Sequence, residues 1–207
     1  MIPAVHIKES EPDLLCNERI VYSLLGPHPR IAEIKNTNLY TLPVETRIEK
    51  ARTEPLCIAF APNGDLQQYL LNHPDIPQRL RAKWGVQIAE GLAFIHSRHI
   101  VWADCTPANM LLTADLDILL CDFGGSGIRG SETGVSPPRI YCDPELDSSR
   151  NFSGERRIDI YAFGCVFLEI LTYNADFLSP TPPDVRRGGM QCPCFAFSLW
   201  CIDMSID

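Results

Sequence analysis

The sequence predicts a mixed α/β (α+β) fold, and three patterns carry that expectation. Leu80, Trp84, Ile88 and Leu92 fall four apart, the period of one face of a helix. Met110-Leu111-Leu112 and Ile118-Leu119-Leu120-Cys121 are short apolar runs on either side of a polar stretch, as in a strand hairpin. Residues 158–171 are apolar on nearly every side, which reads as a helix buried by its neighbours. With 207 residues and 45% hydrophobic content, the chain can build one large domain or two small lobes sharing a cleft.

Composition narrows the function. The net charge of −8 argues against a nucleic-acid partner. Nine cysteines are scattered and odd in number, and no secretory signal follows Met1, so a cytoplasmic setting with free thiols is expected. The run 158–171 carries Asp159 and Glu169 and is too short to span a bilayer, so no membrane association is expected.

The elements follow in order. A strand over 4–8 precedes a helix over 12–25, whose apolar stripe is Ile20, Leu24 and Leu25 and whose end is Gly26-Pro27. Residues 34–42 and 56–60 read as strands, and Asn63-Gly64 as a turn. The long helix covers 75–99, with Asp75 as its cap and Pro77 in its first turn. His96, just ahead of the next loop, reads as a structural histidine.

The chemistry lies around the hairpin. Asp104 and Asn109 precede it, and Asp122-Phe123-Gly124 begins thirteen residues after Asn109. Two carboxylates and an amide on such loops suit phosphoryl transfer to a hydroxyl. One carboxylate accepts the hydroxyl proton, while the other and the amide hold Mg2+. The hairpin fixes the separation of Asn109 and Asp122, so both can reach one ion. Gly124 and Gly125 are expected to supply the backbone freedom of this turn.

On these residues the chain resembles the eukaryotic protein kinases. The segment 100–112 is similar to the family's catalytic loop, with Asp104, Pro107 and Asn109 in place. Cys142-Asp143-Pro144-Glu145 resembles the end of the activation segment, which would run over 124–141 with Ser126, Ser131, Thr133, Ser136 and Tyr141. Residues 157–171 resemble the central helix of the large lobe, whose Asp, here Asp159, ties down the catalytic-loop backbone. Four positions depart from the pattern: Trp102 stands for the family His, Ala103 for the Arg, Thr106 for the Lys and Asp143 for the Ala at the end of the activation segment.

The resemblance implies a bilobal kinase-like fold with ATP and Mg2+ as cofactors and a protein Ser/Thr as acceptor. Asp104 would be the catalytic base and Thr106 a hydrogen-bond donor without the family's charge. Asn109 and Asp122 would hold the metal. Lys8 would pair with the α and β phosphates and with Glu18, Glu11 being the fallback partner. Ile58 would stand at the adenine pocket, and Phe60 and Ala61 in the hinge. By the same resemblance, 1–61 is a partial small lobe lacking the glycine-rich lid, 62–177 a partial large lobe and 178–207 an irregular tail. The incomplete large lobe is expected to leave the central helix uncovered for a partner or a second copy. Two other classes remain open: a pseudokinase or binding module, for which the missing lid and Thr106 speak, and a small-molecule kinase of the aminoglycoside or choline type.

Overall fold

The computed structural model describes residues 5–8, 11–35, 56–134, 138–143 and 155–172, with backbone alone at 5–8. The expected strand residues 36–42, Ser136, Pro144, Glu145, the tail 178–207 and the Lys8 side chain lie outside these.

Strand β1 (Val5–Lys8) runs antiparallel to β2 (Leu56–Ala59), with Val5 opposite Ala59 and Lys8 opposite Leu56. The segment around Ile34 lies along the other edge of β2: Ile34 bridges Ile58, and Ala59 N–H donates to Glu33 O at 2.8 Å. Helix α1 (Pro12–Leu25) has the expected bounds and ends at Gly26, whose φ of 73° only glycine adopts freely. Its buried face differs from the expected stripe. Glu18, Val21, Tyr22 and Leu25 are buried, whereas Leu24 is 37% exposed. Positions i, i+3, i+4 and i+7 do share a face, but a charged residue heads that face and hides it from an apolar count.

Helix α2 (Leu66–Asn72) is capped by Asp65, which accepts from Gln68 N–H at 2.8 Å. Helix α3 (Gln78–Ser97) is shorter than the expected 75–99, and Asp75 does not cap it. Pro77 holds the cap position, so Asp75 lies too far upstream to reach the first free N–H groups. Trp84, Ile88 and Ile95 of α3 are fully buried. Helix α4 (Arg157–Thr172) packs against α3 so closely that a methyl on Gly85 would lie 2.1 Å from the Phe167 ring. No residue from 158 to 171 is exposed, and Ile160, Phe163, Phe167, Leu168 and Leu171 are half-buried. The helix is therefore better covered than its sequence suggests. Buried Arg81 ties the two helices, donating to Ile170 O and, at 3.1 Å, to Ile76 O.

Strands β4 (Met110–Leu112) and β5 (Ile118–Leu120) form the expected hairpin. Helix α3 fixes it from below. Trp84 Nε1 donates to Leu116 O at 2.9 Å, and Gln87 joins both Asp117 Oδ1 and Ile118 N–H. Backbone bonds from Ala32 to Leu120 O and from Leu120 to Arg30 O, at 2.9 and 2.8 Å, join the hairpin to the segment leading into the small sheet.

Candidate active site

Two loops carry the site. The first, 102–109, follows strand β3 (Ile100–Val101), which pairs with β6 (Gly127–Ile128). Asp159, fully buried at the start of α4, anchors this loop. Its Oδ2 accepts from Trp102 N–H and meets His96 Nε2, both at 2.8 Å, and its Oδ1 accepts from Ala103 N–H at 2.7 Å. His96 is thus structural, as expected. Ala103 sits at φ 66°, in the left-handed region that costs a non-glycine residue about 1–2 kcal/mol. The Asp159 carboxylate holds it there.

Asp104 and Asn109 come together at the ends of this loop. Asn109 Nδ2 donates to Asp104 Oδ2 at 2.8 Å and to Asp104 O at 3.0 Å. The amide nitrogen is therefore spent on Asp104, and its oxygen is left as the acceptor. Thr106 is 7% exposed, and its carbonyl accepts from Asn109 N–H at 3.0 Å. The neighbouring Cys105 thiol is pushed well above its ordinary pKa by burial, then by the Asp159 and Asp104 charges, so it stays protonated.

The second loop is the turn at Asp122. Its strain lies on the aspartate and not on the glycines expected to carry it: Asp122 has φ 60°, whereas Gly124 and Gly125 are not in the left-handed region. Gly124 is small for another reason, since a Cβ there would lie 3.3 Å from Leu14 Cβ of α1. Trp102 holds the turn from inside. Its indole N–H donates to Cys121 O at 3.1 Å and Asp122 O at 2.9 Å, and its ring lies 5.9 Å from that of Phe123. The residue that departs from the family pattern thus acts as a donor to this turn. From α1, fully buried Glu18 accepts Phe123 N–H at 3.2 Å, whereas the alternative, Glu11, is exposed at the helix start.

Asp122, Asn109, Ile58, Phe60 and Ala61 line one cavity of about 350 Å3, together with Gly64, Asp65, Ala108, Leu111 and Cys121. The hinge and metal residues of the sequence analysis therefore share a cleft between the small sheet and the hairpin. Among the described residues, Asp104 and Thr106 do not line it. Leu111 and Cys121 were missed. Period-2 alternation could have found Leu111, since Met110 and Leu112 on either side of it face the core. An Asp carboxylate and an Asn side-chain oxygen form a hard-oxygen pair suited to Mg2+.

The family model for the protein kinase domain matches residues 1–192. The chain is 32% identical over 125 residues to the probable serine/threonine-protein kinase PBL4 of Arabidopsis thaliana, covering 56% of this chain and 30% of the relative. It is 31% identical over 153 residues to mitogen-activated protein kinase 15 of Oryza sativa subsp. japonica, covering 70% and 29%. To the serine/threonine-protein kinase SIK1 of Rattus norvegicus it is 30% identical over 145 residues, covering 66% and 18%. The matches span less than a third of the length of these three relatives. With the loop 102–109, the Asp122 turn and helix α4 in one arrangement, and a family match over most of its length, the chain belongs to the protein kinase domain family.

Proposed function

We propose that this chain transfers the γ-phosphoryl group of ATP to Ser or Thr hydroxyls of a protein substrate. The observation that carries the reading is the 2.8 Å bond between Asp104 and Asn109, with Asn109 and Asp122 lining one cleft. Asp104 would accept the proton of the attacking hydroxyl. Asn109 orients that carboxylate, and its oxygen and the Asp122 carboxylate are the candidate ligands for Mg2+. When bound, the ion would neutralise charge on the phosphates. Ile58, Phe60 and Ala61 would receive the adenine, with Lys8 toward the phosphates. The relatives' names as serine/threonine kinases support the acceptor class.

The test has two arms. ATP affinity is measured with and without Mg2+ for wild type and Asp122→Asn, and equal Mg2+ dependence in both would overturn the metal role. Asp104→Asn should lower peptide phosphorylation by roughly 10²- to 10⁴-fold, the range for a lost general base.

A second reading rests on Thr106. It is buried, uncharged and stands where the family carries a lysine. A donor without charge supports nucleotide binding better than it supports turnover. Mg2+-dependent binding with no phosphorylated product would select this pseudokinase reading.

A further inference from the structure

Helix α1 presents Leu14, Asn17 and Glu18, at i, i+3 and i+4, to the Asp122 turn. Asn17 has no counterpart in the sequence analysis and makes the densest contact of the three. Its Nδ2 donates to Gly124 O at 2.8 Å and to Ser126 O at 3.0 Å, with Phe123 O at 3.5 Å. An amide carries two N–H donors on its nitrogen, and the three atoms facing it are carbonyl oxygens, which only accept. The network itself therefore fixes which end of the amide faces the turn.

These contacts sit where the backbone most needs support. Asp122 is left-handed at φ 60°, and the turn closes by Ser126 N–H donating to Phe123 O at 3.2 Å. Trp102 supports the turn from the catalytic-loop side through Cys121 O and Asp122 O. Gly134 N–H holds Gly125 O at 2.8 Å, and Ser126 Oγ donates to Trp102 O at 3.1 Å. The carbonyls of Gly124 and Ser126 are held by Asn17. Removing its donor leaves these carbonyls facing an incompatible group on α1.

We propose that Asn17 is the positioning residue that locks the metal-binding turn to helix α1 through the Gly124 and Ser126 carbonyls. The metal part of this inference rests on the function proposed above. The lock itself does not, and it can be read without nucleotide.

The deciding variant is Asn17→Asp. It keeps the side-chain shape and replaces the donor nitrogen with an acceptor oxygen facing three carbonyls. Asn17→Leu removes the donor without adding charge and serves if the first variant does not fold. Hydrogen exchange on the nucleotide-free protein should speed up by about tenfold at residues 123–126, the order expected for a lost hydrogen bond to a held turn, with α3 unchanged. With Mg2+ present, ADP affinity should fall by a similar factor, while metal-free ADP affinity stays the same. For Asn17→Asp the affinity loss should shrink as pH falls and the new carboxyl regains an O–H donor; Asn17→Leu should show no such recovery.

In wild type, selective 15N labelling of asparagine reads the same bond. The Asn17 side-chain amide should exchange more slowly than that of exposed Asn72. Unchanged exchange at 123–126, a uniform rise across the chain, or an unprotected Asn17 amide would each overturn the lock. If wild type binds no Mg2+-nucleotide at all, the proposed function fails while the exchange measurements still decide the lock.

Discussion

The two loops of the site are built on opposite plans. The loop 102–109 is anchored at its start by one buried carboxylate, Asp159, which receives two backbone N–H groups and meets His96. The turn 122–126 is held by several groups from two directions: Trp102 beneath it, and Asn17 and Glu18 from α1. The start of one loop is fixed chiefly by a single charge on a helix of the core. The other is shared between two elements, the loop that carries Trp102 and helix α1.

The largest expected effect comes from breaking the single anchor. Asp159→Ala should orphan two buried N–H groups and the His96 ring at once. Losing one partner of a buried charged network costs about 3–5 kcal/mol, so the melting transition should fall sharply or disappear. A loss below about 1 kcal/mol in denaturant titration would show that the loop does not depend on one carboxylate.

Trp102→Phe probes the distributed plan. It keeps an aromatic ring but removes the donor shared by two carbonyls and leaves a cavity at a fully buried site, so it should cost about 2–4 kcal/mol, measured by chemical denaturation. Combined with Asn17→Leu, the loss should exceed the sum of the single losses, because both act on one turn. Simple additivity would mean that the two supports are independent.

A third tie joins the activation segment to α4. Tyr141 Oη donates to Glu169 Oε2 at 2.6 Å. Burial raises the pKa of Glu169, opposed by the Tyr141 hydrogen bond, and burial also raises that of the tyrosine hydroxyl, which therefore stays a donor. The folded state then holds the Glu169 proton more tightly than the unfolded chain does. Stability should fall as pH rises from the unfolded carboxyl value toward the raised folded one. Glu169→Gln keeps an acceptor and removes the titration. It should melt at or above wild type at neutral pH and match wild type below the unfolded value. A variant less stable than wild type at neutral pH would reverse this assignment.

The smallest effect belongs to the hairpin's outer support. Asp117 has its pKa lowered by hydrogen bonds from Lys83 and then Gln87, and its ion pair with Lys83 is 2.7 Å long on the surface. That contribution is present above the unfolded carboxyl pKa and is lost as pH falls through the lowered value. Lys83→Gln should cost only about 0.2–1 kcal/mol at neutral pH, and less in high salt.

Asp104, Asn109 and Asp122 were legible because their spacing is set by a hairpin whose apolar runs are plain in the sequence. Asp159 was legible for the same reason, in the most apolar run of the chain. Asn17 was not, since nothing local separates it from Asn72, and its partners lie more than a hundred positions away. Trp102 read as a departure because sequence compares residue types, whereas the turn needs only an N–H donor. The α1 face was misread because Glu18 heads it. Asp143 was likewise read only as a substitution; in the fold it is 4% exposed and pairs with Arg157 at 2.8 Å.

Trp102 has one further consequence, which is optical. A fully buried indole bonded to two backbone carbonyls beside Phe123 emits in a dry, polarised setting. The chain has three tryptophans, so replacing Trp84 and Trp200 leaves a single fluorophore at the Asp122 turn. Any departure of that turn from its left-handed state would admit water to the indole and redden its emission. The protein thus carries a native dye at the point where its two loops meet, able to report the turn in real time without a label.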